Sequence, residues 1–139
     1  YIHDKVGFNY RMPSLNAALG IAQLNKIRSF IKAKRKLFQH YKKSFSKLNY
    51  VKIFKENFDD KSNYWLQTAI LEPKNIRHKE AIIKYCISKG IYVRPSWTLL
   101  SKLKPYLKSP KMNLKGALEI EKRIINLPSS QSIILRNKR

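Results

Sequence analysis

The chain has 139 residues, 43% of them hydrophobic, and carries 30 lysines and arginines against 8 aspartates and glutamates, a formal net charge of +22. That length and apolar content support one domain with a real core and exclude global disorder, and no apolar run approaches the roughly 20 residues of a membrane span. The lone cysteine, Cys86, excludes a disulfide framework within the chain and fits a reducing, cytoplasmic setting.

The positive charge has two readings. It is 22 Lys and only 8 Arg, spread from Lys5 to Arg139, whereas forked recognition of phosphate and base edges favours Arg. Solvated lysine faces are the plainer reading; steering of an anionic ligand or nucleic acid is the other. No signal peptide is recognisable and residue 1 is Tyr rather than Met, so the chain is expected to begin inside a longer protein.

Residues 1–13 read as a loop ending at Met12-Pro13, because proline disfavours helix at the residue before it. Ser14 is the expected N-cap of a helix over 15–29. Its first half is apolar almost all round (Leu15, Ala17, Ala18, Leu19, Ile21, Ala22, Leu24), so burial on more than one side is expected. A domain this small offers little mass for that, which implies a partner: another domain, another subunit or both. A second helix is expected over 31–48, with the stripe Ala33, Leu37, Tyr41, Phe45 and Leu48. Strands are expected over 51–54 and 64–71, joined by the polar stretch KENFDDKSN.

A third helix is expected over 78–89, with Ala81, Ile82, Tyr85 and Cys86 on one face and Gly90 at its C′ position. A short strand over 91–93 follows. The prolines at 95, 105 and 110 then make a long, mostly irregular loop, a kind of segment that often carries function. A fourth helix is expected over 114–125, stopping before Leu127-Pro128; the tail SSQSIILRNKR is ambiguous. Strand, helix and strand in that order suggest an α+β layer domain.

The chemistry of a complete active site is missing. His3, His40 and His78 are far apart, and no Cys/His spacing resembles a zinc site. The four glycines form no phosphate loop. Cys86, on an apolar face, is expected to be a packed thiol. What remains is Asn9, Tyr10 and Arg11 ahead of the apolar helix. An Asn amide can donate to a phosphate oxygen, and Arg can fork onto phosphate or carboxylate. Alternatively, Asn9 caps a turn and Arg11 makes a surface ion pair.

The segment GFNYRMPSLNAALGIAQL resembles the hallmark of the DegT/DnrJ/EryC1/StrS family of pyridoxal-phosphate-dependent sugar aminotransferases. The resemblance rests on Gly7, Phe8, Asn9, Tyr10, Arg11, Met12, Ala17, Ala18, Gly20, Gln23 and Leu24. It continues through KGIYVRPSW to INLPSS, about residues 1–130. It implies an α/β protein: the α+β C-terminal small domain of a fold-type I aminotransferase, with the interface helix leading into it. Residues 1–30 would be an interface loop and buried linking helix, and 31–139 the small domain.

The resemblance further implies that Asn9 reaches the pyridoxal 5′-phosphate of the neighbouring subunit of a homodimer, with Arg11 beside it. Tyr10, Arg94, Trp97 and Tyr106 would contact a nucleotide sugar. The wording NAALG and RPSW is nearest the branch acting on UDP-linked 4-keto-6-deoxy-N-acetylhexosamines. The family's Schiff-base lysine precedes the Asn-Tyr-Arg motif and has no counterpart here, so the chain is expected to lack catalysis of its own and to need an N-terminal large domain. The tail also departs from the family's final helix. Two competing readings are a truncated remnant without function and a small basic nucleic-acid-binding module that stacks bases on Tyr41, Tyr50, Tyr64, Trp65 and Trp97.

Overall fold

A computed structural model describes residues 10–135. Helix α1 (Ser14–Leu24) leads into α2 (Ile27–Phe45). Strands β1 (Val51–Ile53) and β2 (Gln67–Leu71) follow, then a 3-10 turn over Pro73–His78 that opens into α3 (Lys79–Ser88). The two-residue strand β3 (Arg94–Pro95) precedes the long loop. Helix α4 (Lys115–Arg123), strand β4 (Ile124–Leu127) and the single turn α5 (Ser132–Leu135) complete the order. Among the described residues, no helix is long and apolar enough to cross a membrane.

The four strands form one antiparallel sheet in the order β1-β2-β4-β3. Val51 pairs with Leu71, Ala69 with Ile125, and Arg94 with Asn126. Residues two apart on a strand share a face, and Gln67, Ala69 and Leu71 are all buried on one face of β2. Val51, Ala69, Leu71, Val93 and Ile125 make the core there, with Phe45, Leu48, Ile82, Ile83 and Cys86 packed against it. The expected α2 stripe thus faces inward, and Cys86 is the packed thiol its position implied. On α3 the apolar face is rotated from expectation: Ile83 joins the core while Tyr85 is exposed.

Several boundaries differ from the sequence reading. The first helix stops at Leu24 rather than 29, and α2 begins at Ile27, because the chain turns at Asn25-Lys26. Ser14 is the first helical residue; Pro13 occupies the cap position, with no side-chain capping bond. Residues 64–66 lie outside β2, since Tyr64 adopts a positive φ of 48° that no strand tolerates. The strand expected over 91–93 is displaced to Arg94–Pro95.

The fourth helix ends at Arg123, and what read as its last turn is the central strand β4. Two consecutive β-branched residues, Ile124 and Ile125, favour the pleated conformation once a neighbour strand is there to pair with. Among its described residues, the tail forms a four-residue helix. Gly90, by contrast, stands where expected. Its φ is 74°, and the Gly90 N–H to Ile87 O and Ile91 N–H to Cys86 O bonds, both 2.9 Å, complete a Schellman ending for α3.

The loop before β2 is organised by one carboxylate. Glu56 accepts from both terminal nitrogens of Arg35 and from the Ser62 N–H, and Arg35 also donates to the Ser62 carbonyl at 2.6 Å. Tyr64, buried, stacks on Phe38 at 4.3 Å, with the Arg35 guanidinium 5.4 Å from its ring. These contacts hold Tyr64 in its left-handed conformation.

Two outcomes follow from this packing. Leu37, fully buried on α2, should cost about 2–5 kcal/mol when replaced by Ala, read by urea denaturation; a loss below about 1 kcal/mol would mean α2 is not anchored through it. The Arg35 hydrogen bonds, and then the Ser62 N–H, hold the Glu56 carboxyl below its ordinary range. A depressed folded value means the stabilisation is complete above the unfolded glutamate value of about 4.3 and is lost as pH falls through the folded value. The thermal midpoints of wild type and Glu56→Gln should therefore differ at neutral pH and converge in acid. A gap that is constant with pH would remove the carboxylate from the account.

Candidate functional site

Two regions carry the residues singled out in the sequence. The first is the entry to α1. Asn9 lies outside the described residues. Tyr10 and Arg11 are exposed, Tyr10 at 89%. No acidic residue stands in the first turn of α1, and among the described residues no side chain caps it, so its end carries the partial positive charge of a helix N-terminus. None of α1 is buried within this chain: Leu15, Leu19, Ile21 and Leu24 are all at least 60% exposed. The apolar helix that the sequence reads as buried therefore presents its face outward here, an area that a monomeric soluble domain rarely leaves open.

The second region is the loop after β3. The Arg94 guanidinium sits 4.9 Å from the Trp97 ring centroid, a cation–π contact. Trp97 in turn stacks on Trp65, with centroids 5.9 Å apart and planes 23° from parallel. Both indoles remain more than half exposed. Beside them, Arg94, Tyr92, Leu66, Asn126 and Ser129 line a groove of about 280 Å³.

Trp65 is held from behind. Its carbonyl accepts from the Lys34 ammonium and from the Ser129 hydroxyl, each at 3.0 Å, and Lys34 also reaches the Ser129 carbonyl at 2.7 Å. Burial pushes the Lys34 pKa down. A partly desolvated ammonium that bridges two carbonyls ties the 65–66 bend to the turn after β4.

The structure thus brings Arg94 and Trp97 together and adds Trp65, which the sequence reading had assigned to a strand. Nothing in the spacing of 65 and 97 signals the pairing; only the sheet order brings them together. Tyr106 lies further along the loop, in the 3-10 turn Lys104–Tyr106, about half exposed, and takes no part in the stack. Tyr10 and Arg11 enter a helix that packs extensively on none of the elements carrying Arg94, Trp97 or Tyr106. A larger apolar cavity of about 480 Å³, lined by Tyr50, Asn75, His78, Ala81, Ile82 and Tyr85, contains none of the expected site residues. Of the five aromatics considered for base stacking, Tyr64 is core and Tyr41 is half-buried with its hydroxyl donating to the Pro128 carbonyl at 2.9 Å.

A small antiparallel sheet packed with helices, entered through an apolar helix, is part of the α/β fold of the fold-type I pyridoxal-phosphate enzymes. Helicobacter pylori PseC, an aminotransferase involved in the biosynthesis of pseudoaminic acid, superposes with a TM-score of 0.83 at 22% identity, over 96% of this chain and 36% of that one. An Escherichia coli GDP-4-keto-6-deoxy-D-mannose-3-dehydratase with bound hydrated PLP gives 0.78 at 24%, over 90% and 33%. The chain belongs to the DegT/DnrJ/EryC1/StrS aminotransferase family, whose profile matches residues 1–137. The GDP-perosamine synthase of Escherichia coli O157:H7 is 33% identical over 96% of this chain and 35% of that protein. The chain spans about a quarter to a third of the length of the relatives it matches.

The stack can be tested without any ligand. Trp97→Ala should abolish the near-ultraviolet circular dichroism of the coupled indoles and lower stability by about 0.5–1.5 kcal/mol, the range for an aromatic pair. An unchanged spectrum would show that the two rings do not stack in solution.

Proposed function

We propose that this chain is the C-terminal part of a pyridoxal-phosphate-dependent aminotransferase that moves an amino group, supplied by glutamate, to C4 of a nucleotide-linked 4-keto-6-deoxy sugar in the cytoplasm. Residues 1–30 serve as interface loop and linking helix, and 31–139 as the small domain. The N-terminal large domain supplies the Schiff-base lysine, and a second copy shares the active site. The observation that carries this reading is the family match over residues 1–137 together with the outward apolar face of α1, which fits a helix made to be covered. The perosamine-synthase likeness favours a GDP-linked sugar as strongly as the RPSW wording favours a UDP-linked one.

The donors at the start of α1 suit the phosphate end of the cofactor. An Arg guanidinium and an Asn amide supply forked and single N–H bonds to phosphate oxygens. The adjoining helix terminus adds partial positive charge, with no carboxylate in its first turn to compete. When bound, pyridoxal phosphate supplies the electron sink and carries the amino group between donor and acceptor. Arg11 and Asn9 fix the phosphate and so set the orientation of everything attached to it. Arg94 offers a cation for the diphosphate of the nucleotide sugar, and Trp97 a flat apolar face for a sugar or base ring. Tyr10 and Tyr106 add hydroxyl donors at the rim.

The test uses the protein that carries this chain together with its catalytic part, mixed with glutamate, pyridoxal phosphate and a GDP- or UDP-linked 4-keto-6-deoxy sugar. Mass spectrometry should find an amine in place of the ketone, formed only when glutamate is present. Arg11→Ala should weaken cofactor binding about tenfold or more, the ratio for a charge-assisted hydrogen bond of ~1.5 kcal/mol. Loss of water from the sugar with no amine formed would move the protein to the dehydratase side of the same fold, and no reaction with either sugar would overturn the reading.

A further inference from the structure

The loop that carries Trp97 and Tyr106 has almost nothing apolar to hold it. No residue between Arg94 and Ile124 is buried. From Ser96 to Leu114 the sequence contains four lysines and no carboxylate. Short 3-10 turns over Leu100–Lys102 and Lys104–Tyr106 are its only regular structure. A cationic, solvent-exposed loop of this kind gains no conformational preference from burial, so its position depends on a few polar ties.

Those ties converge on one residue. Glu121, on the last turn of α4, accepts the Lys102 ammonium at Oε2 and the Leu99 N–H at Oε1, 3.4 Å away. Its carbonyl accepts from the Ser96 hydroxyl at 3.3 Å and from the Lys79 ammonium at 2.8 Å. Loop positions 96, 99 and 102 are thus fastened to a single residue, and they bracket Trp97. The neighbouring carboxylate on α4, Glu119, is taken up by Arg123 at 3.0 Å, which leaves Glu121 to serve the loop. Its side chain is only 15% exposed, so its bonds to the loop are less screened than those of an ordinary surface pair. Since α4 runs into β4 without a connecting residue, the clamp is referenced directly to the sheet on which Trp65 and Arg94 also rest.

We propose that Glu121 is a positioning residue: it holds the loop over 96–106 so that Trp97 stacks on Trp65 and faces the nucleotide sugar. The part of this inference that concerns the sugar rests on the function proposed above. Glu121 touches neither substrate nor cofactor; it acts through the loop. The carboxylate does two separable things. It neutralises Lys102, and it accepts the Leu99 N–H. A glutamine in its place keeps an acceptor for the N–H and loses the ion pair; an alanine loses both.

The first readout uses the 139-residue chain, in which Trp65 and Trp97 are the two tryptophans. Glu121→Ala should reduce the coupled-indole signal in near-ultraviolet circular dichroism about to the level of a Trp65→Phe control, Glu121→Gln should reduce it partway, and far-ultraviolet signal should be retained in both. The second readout uses the protein carrying this chain with its catalytic part. Glu121→Ala should raise KM for the nucleotide sugar about tenfold with kcat within about twofold, the split expected when binding geometry and not chemistry is lost. Lys102→Met should behave like Glu121→Gln. Variants that match wild type in both the indole signal and KM overturn the proposal, and so does an indole signal that falls while KM stays put. A wild-type protein that binds neither GDP- nor UDP-linked sugar overturns the function this rests on; the indole signal then still decides whether Glu121 holds the loop.

Discussion

The arrangement depends on the four residues of β4. This strand lies between β2 and β3 and is the element that joins the two halves of the sheet. It carries Ile125 into the core and Asn126 into a buried position, where the amide shares a hydrogen bond with Thr68 on one side and donates to the Pro95 carbonyl on the other. A buried amide costs least when both its oxygen and its nitrogen are partnered, and through those two bonds Asn126 ties both neighbours at once. At the helix-to-strand switch, Arg123 donates to the Leu71 carbonyl at 2.7 Å. The direction of α4 is therefore not independent of the sheet, and whatever α4 holds is held in the same frame.

From that frame the two candidate regions differ in kind. The Arg94–Trp97–Trp65 group is built within this chain: strand pairing sets Arg94, the Lys34 bridge sets Trp65, and the loop supplies Trp97. The Tyr10–Arg11 region is not. It adjoins α1, whose large apolar residues stand exposed among the described residues, so under the function proposed above its geometry depends on what covers that helix. Under the function proposed above, a site divided in this way would make part of its recognition intrinsic to residues 31–139 and part conditional on assembly. That division agrees with a chain that spans only about a quarter to a third of its relatives.

Much of the fold was legible in the residues. The α2 stripe follows from its 3.6-residue period, and Gly90 from the demand for a positive φ at a helix end. The family motif over 7–24 was legible because its residue types are specific, not because any periodicity required them. What was not legible is instructive. Ile124 and Ile125 fit a helix stripe as well as a strand, and only pairing with β2 on one side and β3 on the other decides between them. Trp65 was expected in a strand because Tyr64 and Trp65 favour β structure; the Glu56–Arg35 network, made by residues 21 apart, turns Tyr64 left-handed instead. Glu121 carried no local sign at all, since its partners come from a loop some twenty residues earlier.

The sheet's two edges have a further meaning. One is β3, two residues long and half proline; the other is β1, three residues long. Proline offers no N–H, and short edges present few unpaired groups, so neither side is a template on which a further strand could grow. Exposed apolar side chains stand on α1 (Leu15, Leu19, Ile21, Leu24), whose backbone groups past the first turn are paired within the helix, and on the loops, Phe58 and Met112 among them. A copy of this chain taken alone is therefore expected to adhere through its side chains rather than by adding a strand to the sheet. For a chain with so much exposed apolar surface, that is the safer way to be sticky.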